Sequence, residues 1–139
     1  MRSRSTLFLM EQIIVIAVFA FAAAICVSIL ATSYLQTVNA VDTKNALIAA
    51  ESAAESFKAF SGDTNRVAEF FGTAPEANGD VFISFDSDWR PGEAADFVLH
   101  MATRHGDFNI ILSDISVTDM ARGEELVSFT VATRGVQNE

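Results

Sequence analysis

The chain opens with one long apolar block and continues in short alternating ones, and the two patterns predict different elements. Residues 13 to 31 run for nineteen positions without a charge, and no Gly or Pro interrupts residues 7 to 35. About 20 apolar residues in a helix cross a bilayer core, so a transmembrane segment is expected at about 13–35. Beyond it Leu35, Val38, Val41, Asn45, Ile48, Ser52, Ala53, Phe57 and Phe60 recur at three- and four-residue spacing, an imperfect amphipathic stripe. Asp42, Lys44, Glu51, Glu55 and Lys58 mostly take other faces. One helix over 7–60 follows, about 80 Å long at ~1.5 Å per residue. Its Ala-rich stretch 46–54 would admit another helix closely, and the absence of sustained heptads argues against a coiled-coil stalk.

Ser61-Gly62-Asp63 is a helix stop followed by a new start, because Gly suits the left-handed cap and Asp an N-cap. Residues 64–71 then predict a short helix presenting Val67, Phe70 and Phe71, and 73–80 a loop. From Val81 the period becomes two, with strands expected at 81–86, 96–104, 108–118 and 125–133 and turns between them. In the third strand the apolar phase passes from Phe108, Ile110 and Leu112 to Ile111, Ile115 and Val117, which predicts a bulge near Ser113 or Asp114. Three successive hairpins make an antiparallel meander, dry on the face that covers the helix. Val81, Ile83, Phe85, Phe97, Leu99, Met101, Ile115, Val117, Val127, Phe129 and Val131 are the candidate core.

Charge then sets topology and excludes partners. Two of the nine Lys and Arg, Arg2 and Arg4, precede the apolar run; after Leu35 come seven basic and seventeen acidic residues, a net −10. Phosphate binding needs clustered cations, so nucleic acid is not an expected partner. The positive-inside bias puts the N-terminus in the cytoplasm and the C-terminal part outside, in a single pass with Tyr34 at the far boundary. Cys26, the one cysteine, lies in the apolar run, leaving the distal part without a disulfide. A secretory signal peptide is the rival reading: Val38-Asn39-Ala40 resembles a cleavage site that would release everything from Val41. An apolar run longer than the usual ~7–15 residues of such signals speaks against it.

One charge stands out against this background. Glu11 lies two residues ahead of the uncharged run, where a carboxylate near hydrocarbon is costly and invites a functional explanation. Leu7-Phe8-Leu9-Met10-Glu11-Gln12-Ile13-Ile14-Val15-Ile16-Ala17 resembles the N-terminus of type IV pilins and of the pseudopilins of type II secretion and DNA-uptake machines. The resemblance covers roughly the first 30 residues. It implies a short basic leader cut by a prepilin peptidase, a glutamate fifth in the mature chain, N-methylation of the new terminus and a membrane assembly platform. Counted back from Glu11, Leu7 becomes the first mature residue and Thr6 the last of the leader. The chain departs from the family at both: Gly is usual at the position of Thr6, and Phe or Met at that of Leu7. In a staggered filament the Glu11 carboxylate would meet the free ammonium of a neighbour's N-terminus, offsetting the desolvation of both charges. With the leader retained, Arg2 or Arg4 of a neighbour would have to serve instead. The plainer alternative is a helix N-terminal acid in the headgroup layer, favoured by the dipole.

Other chemistry is thin. His100 and His105 are five apart across a strand and its turn, without evident partners. Asp80, Asp86 and Asp88 offer oxygen ligands, and some pseudopilins have a calcium loop, but the full calcium pattern is absent. Trp89 beside Arg90 reads either as a cover for the sheet edge or as a binding knob. No nucleophile–base set or phosphate-cradling loop appears, so neither an enzyme nor a cofactor is expected. The expected architecture is therefore α+β and pilin-like: a basic leader 1–6, a long helix 7–60, and an extracytoplasmic antiparallel sheet domain 61–139. Its partners would be the membrane and other pilin-like subunits. The alternative is a signal-anchored or secreted small binding domain that does not assemble.

Overall fold

The structure is a computed structural model that describes residues 2–135, with side chains from residue 4. It is α+β. Helix α1 (Arg2–Ala59) and helix α2 (Thr64–Phe70) precede strands β1 (Val81–Phe85), β2 (Phe97–His105), β3 (Ile110–Asp119) and β4 (Glu124–Arg134). The chain divides into two compact units, Met1–Ala40 and Val41–Glu139.

In the first unit α1 exposes every apolar side chain, with Ile13 at 65% and Phe19 at 76%. A helix that is apolar all round with nothing packed on it fits lipid better than water. Two of its hydroxyls bond back to the helix, Thr32 Oγ1 donating to Ser28 O (3.0 Å) and Thr37 Oγ1 to Ser33 O (2.9 Å). Such back-bonding spares a hydroxyl an unpaired existence in hydrocarbon.

In the second unit the rest of α1 and all of α2 join a four-stranded sheet of order β1-β2-β3-β4, every pair antiparallel. Leu99 faces Ile83 on one side and Val117 on the other, and Ile115 lies between Met101 and Phe129. Odd-numbered residues of β1 and β2 thereby share one face with those of β3, and that face carries the core. Fully burying a Val, Leu, Ile, Phe or Met contributes about 1.5–3 kcal/mol. Nine of the eleven expected core residues are buried, while Val127 and Phe129 are half-buried against the same cluster. Both belong to the edge strand β4.

The helix face beneath the sheet is only partly the expected one: Ala53 and Phe57 of the expected stripe lie in it, and Phe60 packs against it. Ala46, Ala50, Ala53, Ala54 and Phe57 are buried, whereas Val41, Ile48 and Ser52 point outward. Large side chains already stand on the sheet, so close packing selects the helix face with the smallest ones. The Ala-rich stretch expected to receive a second helix receives the sheet.

The β3 bulge also differs, lying between Val117 and Thr118, where Leu126 is the extra residue on β4. No phase change occurs at Ser113, whose buried side chain occupies the inward position between Ile111 and Ile115. Ile110 and Leu112 are apolar residues on the outer face, and Phe108 belongs to the turn, not to the strand. Asp86 and Asp96 likewise fall outside β1 and β2.

Helix α1 ends as its residues dictate. Ser61 and Gly62 both take left-handed backbone, and Gly62 N–H donates to Phe57 O (2.9 Å). A Cβ at Gly62 would come within 2.8 Å of Ile111 Cδ1, so the cap also lets β3 approach the end of α1. Asp63 then caps α2, accepting from the amides of Asn65 (3.0 Å) and Arg66 (3.3 Å).

The two edges of the sheet are treated differently. Along β1, Phe82 O accepts from Thr73 Oγ1 and Ser84 O from Gly92 N–H, so flanking loops cover that rim. No strand of the described residues pairs with the outer side of β4.

Candidate assembly site

Glu11 sits on α1 one helical turn after Leu7 and two turns after Arg4. At ~1.5 Å per residue, Arg4 and Glu11 share a face but lie about 10 Å apart along the axis. Both side chains are exposed, and Glu11 forms no ion pair among the described residues. The helix gathers Arg4, Thr6, Leu7 and Glu11 within three turns; Arg2 belongs to it as well, its side chain lying outside the described residues. The peptide bond between Thr6 and Leu7 is inside the helix. Any cut there would require opening of the first turns, the part of a helix that frays most readily. Among the described residues, Glu11 therefore presents its carboxylate without an ion pair.

The remaining candidates are placed apart from one another. His100 Nε2 lies 3.1 Å from Asp80 Oδ2, and its ring stacks on Phe82 at 4.4 Å, on the outer face of the sheet. His105 is exposed at the end of β2. Asp86 Oδ1 accepts from the amides of Asp88 and Arg90 (both 2.9 Å), which closes a tight turn. Among the described residues no three His, Cys, Asp or Glu converge as metal ligands. Cys26 is an exposed free thiol in the apolar run.

Trp89 covers the margin of the sheet, stacked on Phe97 at 4.1 Å and near Phe85. Its backbone is left-handed (φ 60°), and its buried indole N–H has no acceptor among the described residues. Together with α1 it walls a shallow apolar groove of about 220 Å³.

Two features were not anticipated. Asp119, buried, is bound by Arg122 Nε at 2.6 Å and by the amides of Ala121 and Arg122, while Arg122 Nη2 reaches Asp42 of α1 at 3.2 Å. Burial alone would raise the Asp119 carboxyl, but the bonds from Arg122 and Ala121 outweigh it and hold the group below the usual carboxylate range. The hydrogen bond to Asp119 raises the Arg122 guanidinium in turn. This pairing ties the β3–β4 turn to α1; an Asp and an Arg three apart beside a Gly were its only trace in the sequence. The second feature is Phe108, 93% exposed at the β2–β3 turn with φ 59°.

No family model matches the chain, and neither does any curated protein or solved structure. Among the described residues, one helix is long and apolar enough to cross a membrane, and it lies near the N-terminus.

Proposed function

We propose that the chain is a pilin-like structural subunit, held in the membrane by α1 with its N-terminus cytoplasmic and assembled into a filament through that helix. The carrying observation is Glu11, an exposed carboxylate two residues before nineteen uncharged ones, with no ion pair among the described residues. Supporting it are the basic start, the lipid-suited first unit and a helix-plus-meander domain of the expected order. The filament would belong to a type IV pilus, a type II secretion system or a DNA-uptake machine, with a prepilin peptidase and an assembly platform as partners. Neither catalysis nor a cofactor enters the reading.

A neighbour's cation would neutralise Glu11 where the helices leave bulk water, and a free N-terminus at Leu7 is the nearest such group in a staggered array. Mass spectrometry of the mature chain should find a start at Leu7, with or without a methyl group. Glu11→Gln should insert normally yet lose crosslinked multimers; undiminished multimers would overturn the assembly role.

The second reading, a secreted or anchored binding domain, draws on one observation. The compact second unit begins at Val41, the first residue after a cut behind Ala40. A mature terminus at Val41 would establish that reading instead.

A further inference from the structure

We infer that Thr103 and Ser113 act as a register lock between β2 and β3, two buried hydroxyls that satisfy one another in a single alignment of the strands. The two residues are Cα partners across the ladder. Thr103 shares the inner face of β2 with Leu99 and Met101, and Ser113 that of β3 with Ile115 and Val117. Ser113 is fully buried, and neither its Oγ nor the buried Thr103 Oγ1 has a hydrogen-bond partner among the described residues. On its other side Ser113 meets Val131, which offers no polar side-chain atom.

The side chain opposite each hydroxyl is thus the other hydroxyl. Directly opposed residues have Cβ atoms about 4.5–5.5 Å apart, so a rotation about χ1 brings the oxygens into hydrogen-bond range. A buried hydroxyl left unbonded is costly, and that cost favours the rotation.

Apolar patterning does not select this alignment. A slip of one residue would turn every side chain to the wrong face, but a slip of two keeps all of them on the right one. Sliding β2 and β3 by two toward a shorter hairpin sets Phe97 against Val117 and Leu99 against Ile115, apolar against apolar as before. What it breaks is the hydroxyl pair, since Thr103 then faces Ile111 and Ser113 faces Met101. Sliding the other way also parts the two, setting Thr103 against Ile115 and the buried Asp119 against Leu99.

The turn does not select it either. Residues 106–110 join His105 to its partner Ile111, and among them Phe108 and Asn109 take left-handed backbone, φ 59° each. An aromatic residue adopts that region only under strain. The slipped hairpin would close with residues 106–108, and three-residue loops are common. The native alignment is therefore imposed on the turn by the strands. On the outer face Arg104 and Asp114 meet at 3.3 Å, but both are exposed, and such pairs contribute little. A buried polar pair that is made in one alignment and broken in its rivals is a known way of fixing register.

The test uses the full chain in detergent micelles with Cys26→Ala. Val98→Cys with Thr118→Cys occupies partner positions in the native alignment and should oxidise to an intramolecular disulfide. Val98→Cys with Ser116→Cys becomes a partner pair only after the two-residue slip and should stay largely reduced. Adding Thr103→Val and Ser113→Ala together should raise the disulfide of that second pair several-fold, whereas Thr103→Ser, which keeps the hydroxyl, should not. A second pair that stays reduced in the doubly substituted chain, while the first still oxidises, would overturn the lock. In thermal melts Thr103→Val and Ser113→Ala should each lower Tm, and the two together should lower it by less than their sum. Strictly additive shifts would overturn the pairing of the hydroxyls.

Discussion

Helix α1 serves two environments, and its two lengths solve packing in opposite ways. Before Val41 its large residues Ile, Leu and Phe all point outward and nothing is buried; after it the buried face is four alanines and Phe57. In the first length side-chain bulk is presented to the surroundings. In the second it is withheld, because the sheet brings the bulk and the helix must come close. The same residue types would therefore have opposite effects in the two places.

The comparison can be broken most forcefully at Phe57, the one large side chain of the buried stripe. Phe57→Ala should cost about 3–5 kcal/mol in denaturant unfolding of the domain, while Phe19→Ala should leave that transition unmoved. Next in size, Ala50→Leu should overpack the interface by about 1–3 kcal/mol, and Ala24→Leu in the apolar run should be silent. A silent Ala50→Leu would mean that the sheet does not rest on the alanine face. Asp63→Ala should cost about 1 kcal/mol by uncapping α2.

The smallest effect is pH-dependent and belongs to the second length alone. Asp119 is held below the ordinary carboxylate value of about 3.9, so its contribution is complete above that value and fades as pH falls through the lowered one. Thermal stability should drop in that acid range more steeply for the wild type than for Asp119→Asn. Parallel curves would show that the Arg122 pairing does not stabilise the fold.

These contrasts also explain what the chain's pattern revealed. Strands were legible because half-buried sheet residues alternate in polarity, and Val81, Leu99 and Ile115 mark that alternation plainly. The stop at Ser61-Gly62-Asp63 was legible because few residues tolerate such backbone. The buried face of α1 was legible only at Ala53 and Phe57, because alanine is nearly neutral in hydropathy and the eye follows Val41 and Ile48 past Ala46 and Ala50. Ser113 misled in the same way, a polar residue in a core position that imitated a change of phase. Glu11 was visible as an anomaly against its apolar neighbours, and it forms no ion pair among the described residues. Phe108 read as the start of a strand, since nothing in its identity announces a left-handed turn.

The uncovered rim of β4 has a consequence for how copies of this molecule keep their distance. From Leu126 to Thr133 it offers eight uncharged residues, without Pro or Gly, to any extended chain that drifts alongside. With few local guards beyond the bulge at its start, mutual repulsion among strongly anionic domains becomes the safeguard. Concentrated salt, by shortening the reach of that repulsion to a few ångströms, should turn a well-behaved solution cloudy.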